Sequence, residues 1–286
     1  MGERLYSRAQ VARLRLVKRL LDQGFRPGKL LPLSFEALDS LLADVVDTSV
    51  ATELRKKSAL GTRHSARQRP PKASIGSQNG GGDWVIPLLK SHDTNAARTA
   101  LIQKIAQVGL LAFVLDTLPA LNRSVGNAWL RGDLAVYEEH IYTELVQSAL
   151  RNALQNLGLM PMPPRVLLAT VHHEMHGLGL LMVEVCLAFA GATSVSLGLQ
   201  TPTTDIAEAA LQKKMDVVAL SFSAAYSWRQ IRDCLRELRA LLPAEIALWA
   251  GGAGVAGRES VTGITLMSDL RAISPAVTAW RQEHLR

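Results

Sequence analysis

The sequence predicts a multidomain chain of helical and α/β parts: two amino-terminal helices, a four-helix bundle, and a doubly wound parallel sheet at the carboxyl end. Three observations carry this. From Arg165 onward, short β-branched apolar runs alternate with amphipathic segments of helical length, the pattern of a parallel sheet covered by helices. Between residues 83 and 160, apolar residues recur at helical spacing with short connections, which favours a compact bundle. Residues 50–82 show little periodicity and contain Gly61, Pro70-Pro71 and Gly80-Gly81-Gly82, the composition of a linker. The predicted divisions are therefore 1–49, 50–82, 83–160 and 161–286.

At the amino end, Ser7 is placed to cap a helix over 7–23, with Val11, Leu14, Val17 and Leu21 as its apolar stripe. Arg8, Arg13, Arg15, Lys18 and Arg19 make its other faces basic. Gly24 ends it, and Phe25-Arg26-Pro27-Gly28 turns the chain. Ser34 caps a second helix, from Phe35 to about Val46, with Phe35, Leu38, Leu41, Leu42 and Val45 inward. Two such helices bury little surface alone, so they read as part of a larger unit.

In the next region Trp84 to Leu89 predicts a short turn of helix, and 97–106 a second helix. A longer one spans 109–130, bent at Pro119. Gly132-Asp133 breaks the chain, and Asp133 caps a last helix with Leu134, Tyr137, Ile141, Leu145, Ala149 and Leu150 on one side. Pro161, Pro163 and Pro164 mark the next boundary. Beyond it strands are predicted at 165–171, 193–199, 216–222 and 246–250, with a weaker fifth at 261–266. The intervening helices are 177–190, 204–213 (capped by Asp205 or its neighbour) and 228–241, the last with Ile231, Leu235 and Leu238 inward. A terminal helix starts near Pro275. This alternation is that of a flavodoxin-like, Rossmann-type sheet.

Composition bounds the class. Of 286 residues 48% are hydrophobic, yet no run approaches the roughly 18–20 uncharged apolar residues of a membrane span. The start, Met1-Gly2-Glu3-Arg4, lacks the apolar core of a signal peptide. Cys186 and Cys234 sit in apolar helical patterns as reduced core cysteines, which places the protein in the cytoplasm. The net charge of +7 is concentrated in residues 50–82, where seven cations face Glu53 alone. Contact with phosphate and mere solubility both account for that segment.

The stretch Thr170-Val171-His172-His173-Glu174-Met175-His176-Gly177-Leu178-Gly179 joins the first strand of the sheet to its helix. A histidine there lies at the carboxyl edge of a parallel sheet, where open α/β folds bind ligands. Zinc is one alternative, because His172, His173 and His176 lie close together. The zincin pattern fails, since His173 and His176 are three apart instead of four.

Glu174-x-His176-x-x-Gly179 resembles the signature of cobalamin-binding domains, in which the histidine ligates cobalt from below and the acidic residue orients it. In the bundle, Trp129 followed after nine residues by Glu139-His140 resembles the signature of MerR-type cobalamin-dependent transcriptional regulators of the CarH/LitR type. There the tryptophan covers the upper face of cobalt, with the Glu and His near the adenosyl group. The segments Arg4-Leu5-Tyr6-Ser7, Val11-Ala12-Arg13-Leu14, Val17-Lys18-Arg19-Leu20-Leu21 and Gly24-Phe25-Arg26 resemble the second half of a MerR-family DNA-binding domain, whose preceding helix-turn-helix this sequence lacks. Gly251-Gly252, after the fourth strand, matches the glycines that line the family's slot for the dimethylbenzimidazole tail. Ser221 matches the first position of the family's Ser-x-Leu, and Ser223 falls where the leucine stands.

The resemblance implies a cobalamin-binding regulator that responds to light. It would take adenosylcobalamin or, failing that, methylcobalamin, with His176 on cobalt. Cofactor state would control self-association and contact with DNA, direct, indirect or lost with the reading head. It departs from some relatives at Leu130, where they carry a second histidine able to take cobalt after photolysis; His140 is the nearest substitute. Two alternatives stay open: a corrinoid protein of a methyltransferase system, and a cobalamin-sensing antirepressor that binds a protein partner. No nucleophile–base constellation points to an enzyme.

Overall fold

The computed structural model describes residues 7–22, 27–41, 82–158, 160 and 162–285. Residues 4–6 and 24–26 of the MerR-like fragment, the end of the second predicted helix, all but Gly82 of the basic segment, and Pro161 lie outside the described residues.

Helix α1 (Arg8–Asp22) opens with a reciprocal cap, in which the Gln10 amide donates to Ser7 Oγ at 3.2 Å and the Ser7 amide to Gln10 Oε1 at 2.8 Å. A short turn α2 (Pro27–Leu30) leads to α3 (35–41), where the Ala37 amide donates to Ser34 Oγ. The buried face of this hairpin is Leu16, Val17, Leu20, Leu30 and Leu38, whereas Leu14 and Phe35 are exposed. The stripe predicted through Leu14 is therefore rotated. A cause is visible at Arg13, whose guanidinium donates to the Leu31 and Leu33 carbonyls at 2.7 and 3.0 Å and so turns that side of α1 toward the 31–33 turn. The hairpin packs through α1 on the bundle helix α7.

The bundle comprises α4 (Val85–Lys90), α5 (Thr94–Val108), α6 (Leu110–Ala112) continuing through a π-helical stretch (Phe113–Thr117) into α7 (Leu118–Arg131), and α8 (Val136–Gln155). The sharp bend falls at Gly109, φ +86°, where α5 and the 110–131 helix meet at 114°, and not at Pro119. Pro119 has no N–H to return to Leu115, and the ladder widens to π spacing just before it. Asp133 does not cap α8: it pairs with Arg131 at 2.7 Å, and Glu138 reaches back to the Ala135 amide at 2.6 Å instead. The inner face of α8 is Tyr142, Leu145, Val146, Ala149 and Leu150, while Tyr137 is exposed. Burying side chains such as Phe113, Leu121 and Leu150 contributes roughly 1.5–3 kcal/mol each.

The sheet has order β2-β1-β3-β4-β5, all parallel: β1 (Met162–Val171), β2 (Ala192–Thr201), β3 (Val217–Ser221), β4 (Ala247–Gly251) and β5 (Thr265–Met267). Val261 forms an isolated bridge with Ile264 and lies outside the fifth strand. Helices α9 (Leu178–Phe189) and α12 (Ile273–His284) share one core with the bundle, which also takes in Val166, Leu168, Val217 and Ala219 of the sheet. Helices α10 (Thr203–Gln212) and α11 (Trp228–Leu241) cover the other face against Leu167, Ala169, Val218 and Leu220. Ile231, Leu235 and Leu238 point inward as predicted, but no side chain caps α10, so Asp205 is not its cap.

This order puts the topological switch between β1 and β3, whose connections leave to opposite faces. The bundle is joined to the sheet through α8 on α9. Among the described residues no single helix is long and apolar enough to cross a membrane.

Candidate functional site: a histidine loop at the switch point

β1 is buried on both faces from Val166 to Thr170, as a central parallel strand must be, and delivers the loop 172–177 to the carboxyl edge. The loop turns sharply at His173, φ +69°. Thr170, fully buried, donates its hydroxyl to the Glu174 carbonyl at 2.8 Å and accepts the Gln200 amide at 3.0 Å. Bulges in β2, with Gly198 and Gln200 at positive φ, bring that amide into reach.

Glu174 is 1% exposed, and its carboxylate is shared three ways. Oε1 accepts the His176 amide at 3.0 Å and lies 2.6 Å from His176 Nδ1, while Oε2 accepts the Ser223 amide at 2.8 Å from the turn after β3. Burial alone would push this carboxyl up, but hydrogen bonds from Ser223 and His176 outweigh it and hold the group below the ordinary value of 4.5. An ionised Glu174 only accepts, so Nδ1 must carry the proton of a neutral His176. The Nε2 lone pair is then free, on a side chain that is 68% exposed.

Around this pair the backbones come close. A Cβ on Gly179 would lie 2.7 Å from Ser221 Oγ, so the start of α9 packs closely on the Ser221 side chain at the end of β3. Gly252, φ +96°, would carry a Cβ 2.3 Å from the Phe222 carbonyl, and Gly254 one 2.7 Å from that of Ser223. Gly251 ends β4 against the Met267 carbonyl. The glycine cluster thus seats the β4 turn directly on the β3 turn.

On the bundle, the Tyr142 hydroxyl donates to Asn122 Oδ1 at 2.7 Å and fixes α7 against α8. Trp129 lies two turns along α7 from Asn122 on the same face. Glu139 lies one turn back from Tyr142, close enough that its charge, after burial, helps to raise that phenol's pKa. Trp129 is half-buried against the shared core. Glu139 Oε1 accepts from Thr143 at 3.0 Å, and the exposed His140 Nε2 is 3.8 Å from Glu139 Oε2. Helix α8 ends at Gln155, seven residues before β1 in sequence, and Arg151 acts on the half-buried Glu184 of α9. Glu139 and His140 lie at its opposite end, within its first two turns.

His172 and His173 are exposed with ring centroids 3.9 Å apart. Among the described residues no group of three His, Cys, Asp or Glu is arranged to hold a metal ion. Sequence reasoning missed the backbone donor of Ser223, the Thr170 hydroxyl, Gly254 and Tyr226. An amide carries no side-chain signature, but a lone aromatic in a strand-to-helix turn was a visible signal.

Residues 164–263 match the B12 binding domain family. The chain is 27% identical over 263 residues to the HTH-type transcriptional repressor CarH of Myxococcus xanthus, covering 91% of this chain and 80% of that protein. It is 34% identical over 122 residues to the repressor CarA of the same organism, 42% of each. The fold is similar to that of the monomethylamine corrinoid protein of Methanosarcina barkeri, with a TM-score of 0.52 at 15% identity over 70% of this chain and 97% of that one. The chain carries a B12-binding domain, and its similarity to the CarH type extends well beyond that domain.

Proposed function

We propose that this protein is a light-responsive transcriptional regulator that binds adenosylcobalamin through His176. The observation that carries the reading is the Glu174–His176 pair: a buried, ionised carboxylate fixes the ring and leaves Nε2 facing outward at the switch point. The residues present fit the cofactor, since a neutral imidazole of fixed tautomer is a ligand for cobalt, and a Cβ on Gly179 would crowd the Ser221 hydroxyl beside it. Gly251 and Gly252 would flank the nucleotide tail.

Cobalamin, when bound, supplies a cobalt–carbon bond weak enough for visible light to break. The chain's own residues do the rest. Glu174 holds His176 in one tautomer, Trp129 covers the site from the bundle, and Glu139 and His140 stand near it at the start of α8. Because α8 packs on α9, and α9 begins at the histidine loop, a change of occupancy under Trp129 would shift bundle against sheet. We assign the output to DNA contact, as the names of the matched HTH-type repressors suggest, coupled to self-association, and the setting to the cytoplasm, in keeping with two unpaired cysteines.

The test is an absorption spectrum of protein mixed with adenosylcobalamin in the dark, desalted, then lit with green light. A retained band that changes on illumination is expected. An unretained band sinks the reading. A retained band indifferent to light, with methyl transfer to an added thiol, would instead favour a corrinoid methyl carrier.

A further inference from the structure

The turn after β3 grips the histidine loop at two points, and only one of them involves the Glu174 carboxylate. Besides the Ser223 amide on Glu174, the Tyr226 hydroxyl donates to the backbone carbonyl of His172, two residues before Glu174. Tyr226 is itself held. Its amide closes a turn on the Ser223 carbonyl at 3.2 Å, and its ring lies 5.9 Å from that of the fully buried Phe222. The loop otherwise has His173 at positive φ and exposed side chains at 172, 173, 175 and 176, so little packing restrains its first half.

We infer that Tyr226 is a positioning residue for His176: its hydroxyl pins the His172 carbonyl, and this holds Glu174 and the His176 ring in the single arrangement that presents Nε2. The carbonyl of a residue at the bend is free to rotate unless something binds it. A rotation there would carry the Glu174 carboxylate away from the Ser223 amide, since Glu174 itself bonds back to the Val171 carbonyl at 3.0 Å across the same bend. A phenol suits the task because burial, the largest cause, and then the nearby Glu174 charge raise its pKa above the ordinary 10, so it stays protonated and donating throughout the neutral range.

The affinity part rests on the proposed cobalamin reading; the positioning part does not. The experiment therefore has two arms on the full chain, comparing wild type with Tyr226→Phe, which keeps the ring on Phe222. In the cofactor-free protein at pH 8.5, long-range proton–nitrogen NMR reads the tautomer of His176. Wild type should show one form protonated at Nδ1, and the variant a mixture. Equal tautomer populations overturn the inference. In the second arm, equilibrium dialysis with adenosylcobalamin should give a loss of about five- to tenfold, as for one hydrogen bond behind a ligand. If wild type binds no cobalamin, the functional reading fails while the tautomer arm still decides the role of Tyr226. Incorporating 4-aminophenylalanine at 226 retains a donor and O-methyltyrosine removes it, so the comparison stands even if the phenylalanine variant does not fold. Equal tautomer populations in those two also overturn it.

Discussion

Glu174 and Ser223 are 49 residues apart in sequence, yet the Ser223 amide sits 2.8 Å from the Glu174 carboxylate and ties the turn after β3 to the loop after β1. The same carboxylate holds His176, so the orientation of one ring depends on the register of two strands. That register is set by the pairs from Val166 with Val217 to Ala169 with Leu220.

His176→Ala should lower cobalamin affinity at least tenfold while leaving the melting temperature of the cofactor-free protein within about 2 °C, because the side chain is exposed. Equilibrium dialysis and thermal unfolding check the two halves. Unchanged affinity would remove His176 from cobalt.

Glu174→Gln keeps the shape but leaves one of three donors without an acceptor. Affinity should fall 10- to 100-fold. The wild-type carboxyl is held below its ordinary value of 4.5 when folded, so its stabilising contribution is complete above that pH and is lost as pH falls from 4.5 through the lower folded-state value. In urea titrations between pH 3 and 7 the variant should be less stable at pH 7 and should lose less on acidification. Parallel curves would refute the assigned charge state.

Gly252→Ala meets both a positive φ and the Phe222 carbonyl, and should cost about 2–4 kcal/mol. Gly257→Ala shares the positive φ, +66°, but meets nothing within 4 Å, and should cost only about 1 kcal/mol. Calorimetry on the pair separates close approach from backbone strain; equal losses would mean that the contact with the β3 turn is unimportant.

Cys186 and Cys234 should be silent to a thiol reagent at pH 8 until the chain unfolds. Burial pushes the first up to about 11 and the second up to about 12, leaving little thiolate. Reaction of the native protein within minutes would show that these helices open locally.

Trp129→Ala should spare cobalamin binding but narrow the preference for the adenosyl over the methyl form, measured by competition dialysis. An unchanged preference would argue against Trp129 as the upper lid.

Much was legible from the sequence alone because its signals are local. Alternating apolar runs gave β1, β3 and β4 with their helices, and the Glu174-x-His176-x-x-Gly179 spacing named the loop before any strand was paired. Ile231, Leu235 and Leu238 lie on one face by helical period and were read correctly for that reason. What failed depended on partners distant in sequence. Leu14 fits a stripe as well as Leu16 does, and the 31–33 turn, engaged by Arg13, decides between them. Asp133 has the chemistry of a cap, yet Arg131 takes it and Glu138 reaches Ala135 instead. A peptide amide looks the same at every position in a sequence, so the role of Ser223 appears only once β1 and β3 lie side by side. The residue types of the histidine loop were written in the chain; the arrangement that fixes the His176 tautomer, and with it the direction of the Nε2 lone pair, was completed by tertiary contacts such as the Ser223 amide on Glu174, because a hydrogen bond is fixed by distance and angle in space.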